Sequence, residues 1–475
     1  MAKFNQTSLG KFQYKDLEQL EADLQELHLS IQISDDLSVL GRPISLKNHV
    51  IPNSLATLPM EGGDADANGS PTEMTLRKYE KIARGGAGLI WVEAVSVTKD
   101  GRSNDKQLWL KEDNWEDFKA LNDLIKKTAR ETYGPDFNPI TIIQLNHSGR
   151  YHKVNGKPSP VIATRKQRLD DRLGIDHTHP LVTDDYLDEL QATFLSAARL
   201  SRKAGFDGVD IKACHGYLLC ELLSAFERDG RYGGSFENRT RMMLDVVDAV
   251  KKDAQCEGLI LATRMNIYDA QPYPQGWGVS EASGSDIDLT EPKQLMQLLL
   301  DRGVEIFGLT MGNPYFIPHI NKPYDMGAYV PDEMAIESCE RLIREIGSIQ
   351  QDFPQAVVVG VGYSWFRQFA AQVAAGSVSQ GLCRMAGFGR EAIAYPDFAR
   401  DALTHQALDR TKVCISCSKC SELKSKIGTC GCVVRDADVY LPLYKELKAK
   451  EASAQAGETA GQPDTGSQTA SKEVR

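Results

Sequence analysis

Cys414, Cys417 and Cys420 stand at C-x2-C-x2-C spacing with Cys430 and Cys432 close behind, so half of the ten cysteines crowd into one short segment. Thiolates so placed bind soft metals. A tight triplet with one distant partner can wrap a cubane 4Fe-4S cluster, and four thiolates also suit tetrahedral zinc. A second set of polar residues falls just after short apolar runs: Gln144, Asn146, His147, Gly149 and Arg150 after one, Lys212, His215, Gly216 and Tyr217 after another, Arg264 after a third. Gly360 and Gly362, then Gly387, Gly389 and Arg390, follow the last two. One polar residue at a strand end means little, but five strand ends converging on one face make a site, in which Lys, His and Tyr are able to donate or hold protons.

Such convergence requires parallel strands that all end at the same rim. Candidate strands lie near 49 to 58, 88 to 97, 140 to 145, 207 to 212, 258 to 265, 304 to 310, 356 to 361 and 380 to 385. Several are near-continuous apolar runs, the pattern of parallel strands covered on both faces. Between them run amphipathic stretches. Leu187, Leu190, Phe194, Ala197 and Ser201 recur at helical spacing, with Thr183 as cap, Asp184 and Asp185 at the positive end and Gly205 beyond the last turn. Pro331, Asp332 and Glu333 open another helix. Eight βα units predict an α/β TIM (β/α)8 barrel, an open doubly wound sheet being the alternative. The barrel is expected over 31–410, after a charged helical leader at 1–30; a cysteine-rich segment at 411–448 and a disordered polar tail at 449–475 follow.

Composition narrows the function. A chain of 475 residues with 41% hydrophobic content can fill a sizeable core, and 55 basic against 65 acidic residues leave no basic surface for nucleic acid or an anionic membrane. The sequence shows no secretory signal and no run long enough to span a bilayer, so a cytoplasmic protein acting on a small molecule is expected.

The stretch DGVDIKACHGYLLCELLSAFERDGRYGGSFENRTRM (207–242) closely resembles the strand-four signature of the Old Yellow Enzyme and 2,4-dienoyl-CoA reductase family. LKNHV, PMEG, GGAGLI, QLNHSGR and GFGR support it in the same order, and the resemblance covers about residues 40 to 432. It implies a TIM barrel carrying non-covalent FMN and reduced by NAD(P)H. Gly362, Gly387, Gly389 and Arg390 then suit the FMN phosphate, because glycines let backbone donors approach and Arg binds bidentately. By resemblance, Gln144 meets the pyrimidine edge of the flavin, Arg264 brings positive charge to N1, and Pro59, Met60 and Ala94 pack along the ring. Glu61 falls near N5, where the family often has a small hydroxyl residue. Lys212 and His215 match the pair that polarises a substrate carbonyl, most often two His or His with Asn, and Tyr217 matches the proton donor to the α-carbon. Lys212 is the departure. A compact ammonium differs in geometry from a ring donor and leaves a substrate carboxylate as its other partner.

The iron-sulfur relatives favour Cys432 as fourth ligand beside Cys414, Cys417 and Cys420, with Cys430 in reserve. A cluster implies one-electron traffic, and no G-x-G-x-x-G fingerprint sits on a strand-turn-helix. Either NAD(P)H reduces FMN directly or a partner electron carrier exchanges electrons with the cluster. The expected activity is reduction of an α,β-unsaturated carbonyl compound. A methylamine-type amine dehydrogenase and a non-catalytic flavin and iron-sulfur protein are the alternatives, and self-association into a homo-oligomer stays open.

Overall fold

Asn53 decides where the barrel begins. Its side-chain carbonyl accepts from the Leu55 and Gly88 backbone at 3.1 and 2.8 Å while its amide donates to the Gly86 carbonyl at 2.8 Å. These bonds replace strand pairing, so the first expected strand is split. Val50–Ile51 pairs antiparallel with Ile44–Ser45, and only Leu55–Thr57 enters the barrel as β1.

The computed structural model describes residues 11–460, with side chains to 454. The other barrel strands are β2 (Leu89–Ser96), β3 (Ile140–Asn146), β4 (Gly208–Ile211), β5 (Ile260–Tyr268), β6 (Val304–Met311), β7 (Val357–Gly360) and β8 (Met385–Phe388). All eight pair in parallel with their sequence neighbours, and β8 closes on β1 through Ala386 opposite Leu55 and Phe388 opposite Thr57. The closed barrel excludes the doubly wound sheet. Every residue of β2 and β3 is buried, as full coverage by the barrel interior and an outer helical ring demands.

The helix Asp184–Lys203 forms as its pattern predicts: Thr183 accepts from the Tyr186 backbone, and Leu187, Leu190, Phe194 and Ala197 are buried. Other boundaries differ. β5 runs on to Tyr268, so Arg264, expected at the strand's end, lies in its middle. The helix after Pro331 starts at Ala335, because the Glu337 carboxylate turns back to accept from the Met334 backbone at 2.7 Å. The final strand starts at Met385 rather than 380, because Gly381 (φ +69°) closes the preceding helix, with Leu382 donating to the Ser377 carbonyl. The segment 449–460, expected to be disordered, belongs to the helix Tyr440–Ala460; positions 461–475 lie outside the described residues.

In the expected leader, Leu17–Glu26 is helical and Asp16 caps it; residues 1–10 lie outside the described residues. Phe12 and Tyr14 just before it pack edge-on against Trp365. After the barrel, the helix Lys419–Ile427 folds against Tyr440–Ala460 over a small core of Leu423, Val433, Tyr440 and Leu447. Arg77 ties this unit to the barrel through both oxygens of Asp436, at 2.7 and 3.1 Å. Among the described residues no helix is long and apolar enough to cross a membrane.

Candidate active site at the C-terminal rim of the barrel

The strands end around a cavity of about 1210 Å³. Lys212, His215 and Tyr217 line it, together with Pro59, Met60, Glu61, Ala94, Arg264, Gly362, Gly387, Gly389 and Arg390. Gln144 does not line it. Its buried amide donates to Asp210 at 2.6 Å, and its carbonyl oxygen has no partner. Arg150 also turns away, into a buried network with Asp170 and, at 2.7 Å, Glu221. Truncating it leaves Glu221 buried without a counter-charge, with only the Ala163 and Thr164 backbone N–H groups donating to it, so Arg150→Ala should cost about 3 to 5 kcal/mol of stability, measurable by denaturant unfolding. His147 likewise bonds the Tyr186 hydroxyl at 2.8 Å.

The wall above β4 carries most of the chemistry. Lys212 is only 5% exposed and has no carboxylate within salt-bridge distance among the described residues; its Nζ lies 3.9 Å from the centroid of the Tyr217 ring. Burial depresses the pKa of this ammonium, with Arg264 adding repulsion. His215 sits in the left-handed region at φ +65°, held by its backbone N–H on Asn266 at 3.2 Å and placed 3.2 Å from the Asn321 amide. Burial, then the positive charges of Arg264, Lys212 and Lys322, hold its pKa well below the ordinary value, so the ring is neutral. Tyr217 is buried and donates to Glu61 at 3.0 Å, with the Tyr315 hydroxyl 2.9 Å away. Burial and the Glu61 charge push its pKa well above the usual phenol value.

Glu61 is positioned from two sides. Its own loop is pinned where Gly62 donates its backbone N–H to the buried carboxylate of Glu93, itself paired with Lys78. Its carboxylate receives Lys424 and Ser103 besides Tyr217. Burial alone raises a carboxyl pKa, but here Lys424, Ser103 and Lys212 together outweigh it and lower the Glu61 pKa, so the carboxylate is ionised. Lys424 belongs to the cysteine segment, and nothing in its spacing announced a reach to residue 61. Tyr151 and Tyr315 were also missed: their rings stack at 4.1 Å beside Tyr217. Tyr315 follows β6 by four positions, so the strand-end rule applied to its GNPY run is the signal that finds it.

The cavity suits a flavin phosphate and ring. Arg264 Nε and Arg390 Nη1 are buried without partners, and Gly362 holds φ +107°, a conformation closed to most side chains. A Cβ on Gly389 would meet Met60 Sδ at 3.1 Å, which narrows the wall where both residues line the cavity.

A smaller cavity of about 20 Å³ adjoins it, lined by Cys414, Cys417, Cys420 and Cys432; Arg390, Cys417 and Cys420 line both. Cys430 lines only the larger one, and its interaction with Cys420 lowers the Cys420 pKa and raises its own. Among the described residues no three His, Cys, Asp or Glu side chains are close enough together to hold a metal ion as they stand. The backbone nevertheless wraps this cavity: Ser416 and Ser418 take φ of +52° and +56°, and Ser416 donates its N–H to Cys414 Sγ at 3.5 Å.

Comparison with known proteins places this geometry. An "NADPH dehydrogenase" of Clostridium acetobutylicum is 34% identical over 241 residues, 50% of this chain and 65% of the relative. A "NADH oxidase" of Thermoanaerobacter brockii is 26% identical over 389 residues, 78% of this chain and 51% of that protein. The chain thus spans about two thirds or less of these relatives' length. Among solved structures, a 2-naphthoyl-CoA reductase in complex with 2-naphthoyl-CoA superposes with a TM-score of 0.65 at 18% identity, covering 86% of this chain and 58% of that one. The old yellow enzyme homologue of Zymomonas mobilis gives 0.56 at 22% identity, covering 78% and 94%. At these identities the structural likeness shows the fold. Residues 40–296, more than half of the chain, match the NADH:flavin oxidoreductase / NADH oxidase family, and the chain belongs to that family.

Proposed function

We propose that the protein is an FMN-dependent reductase of α,β-unsaturated carbonyl compounds, with NAD(P)H as electron source. The observation that carries this reading is the wall of Lys212, His215 and Tyr217 over one cavity, two donors for an oxygen beside a buried acid for a carbon. Bound FMN would supply a hydride to the β-carbon of the substrate. Negative charge then grows on the carbonyl oxygen, where the Lys212 ammonium and the His215 ring donate. Tyr217, kept protonated by burial and by Glu61, gives its proton to the α-carbon. Arg390, Gly362, Gly387 and Gly389 would hold the FMN phosphate; Arg264 would face N1, Gln144 would serve the pyrimidine edge, and Pro59, Met60, Ala94 and Glu61 would flank the ring. In this reading residues 31–410 form the catalytic barrel and 411–448 a segment binding a 4Fe-4S cluster through Cys414, Cys417, Cys420 and Cys432.

The amine dehydrogenase alternative loses ground on one contact. Tyr151, Tyr217 and Tyr315 form an aromatic cluster of the kind that holds a cationic amine, but Lys212 already places its own cation over Tyr217. A second ammonium would be repelled. The test is anaerobic purification with flavin and iron analysis, followed by NAD(P)H oxidation driven by a panel of enones and, separately, flavin reduction by methylamines. Stoichiometric FMN with enone turnover is expected. Flavin-free protein that takes up no FMN overturns the proposal, as does reduction by amines without enone turnover.

A further inference from the structure

A buried hydroxyl that gives up its proton in every turnover must recover one. This inference rests on the reading of Tyr217 as the proton donor and concerns where that second proton comes from. Tyr217 is 1% exposed, whereas Tyr315, whose hydroxyl lies 2.9 Å from it and has its own pKa raised by burial, is 37% exposed as a residue and lines the cavity. The direction of the contact follows from counting protons. Glu61, with Lys424, Ser103 and Lys212 stabilising its charge, is ionised and has none to give, so the single proton of Tyr217 is spent on the Glu61 Oε2 acceptor at 3.0 Å. The bond between the two phenols is therefore donated by Tyr315. Its ring is clamped for this: it stacks on Tyr151, and Asn313 accepts from the Tyr315 backbone at 3.0 Å while donating to the Tyr151 hydroxyl at 2.7 Å.

Once Tyr217 has protonated carbon, its phenolate would stand 3.0 Å from the Glu61 carboxylate in a buried site. Two like charges so close and so poorly solvated are strongly disfavoured. Lys212 Nζ faces the ring rather than the hydroxyl, 3.9 Å from its centroid. We propose that Tyr315 relays a proton from solvent to Tyr217 in step with protonation of the substrate. The O–H bond of Tyr217 breaks as the α-carbon C–H bond forms, and the O–H bond of Tyr315 breaks as that of Tyr217 re-forms. Water then returns a proton to the exposed Tyr315. The net transfer is one proton from water to carbon, and no electrons beyond the hydride pair move.

The experiment is single-turnover product formation, by rapid quench, from the pre-reduced holoenzyme and 2-cyclohexenone in mixtures of H2O and D2O. In the wild type two protons move together, so the rate should fall along a bowed curve with deuterium fraction. Y315F keeps the ring and its stacking but has no proton to pass; the rate should drop at least about tenfold and the curve become a straight line. The Y315F penalty should shrink in an E61Q background, where the carboxylate that forbids the phenolate is gone. A straight line already in the wild type, or a Y315F rate within about twofold of it, overturns the relay. Y217F separates the two ideas: if it keeps the wild-type rate, the reading of Tyr217 itself fails, and if it collapses while Y315F does not, only the relay fails.

Discussion

Tyr217→Phe should lower the rate at which an enone reoxidises the reduced enzyme by about a hundredfold to ten-thousandfold, the usual span for loss of a positioned general acid. The substitution is close to isosteric. The ring that carries the Lys212 cation at 3.9 Å remains, and Glu61 keeps Lys424 and Ser103 as partners, so the pocket retains its shape and charge. What goes is the one hydroxyl that both Glu61 and Tyr315 address. Lys212 and His215 still meet the carbonyl oxygen, and substrate affinity should therefore move far less than the rate. Stopped-flow measurement of flavin reoxidation against enone concentration reads the two quantities separately. An unchanged limiting rate would make Tyr217 a packing residue beneath the aromatic cluster.

The barrel was legible in the sequence because parallel strands covered on both faces leave unmistakable apolar runs, as in β2 and β3, where every position is buried. What blurred were positions where a side chain or a glycine overrides the run. Asn53 substitutes for ladder partners and cuts the first strand to three residues, and Gly381 keeps the chain turning past the expected start of the last. The site was legible by the same geometry, since every expected lining residue except Gln144 opens on one cavity, even Arg264, which lies in the middle of β5 rather than at its end. Partners brought from far along the chain were not legible. Lys424 meets Glu61 across 363 residues, and Tyr315 meets Tyr217 across 98, contacts that no local periodicity encodes.

The cysteine segment yields the second large effect. Cys432→Ser should abolish iron retention in protein purified without oxygen, whereas Cys430→Ser should retain it, with iron and sulfide analysis and visible absorbance as the readouts. Spacing alone does not separate the two, since they differ by two positions. Their surroundings do. Cys432 opens on the small cavity shared by Cys414, Cys417 and Cys420, while Cys430 opens only on the larger one. Each iron of a cubane needs one thiolate, so the four cysteines that line one cavity are the set that would close it. Loss of the proposed cluster should also be felt in the active site, because Lys424, which pairs with Glu61 and helps to lower its pKa, rides on the helix Lys419–Ile427 of the same segment. Iron retained by Cys432→Ser but lost from Cys430→Ser would exchange their roles. Stoichiometric zinc without iron in the wild type would replace the cluster with a tetrahedral knuckle and remove the one-electron route altogether.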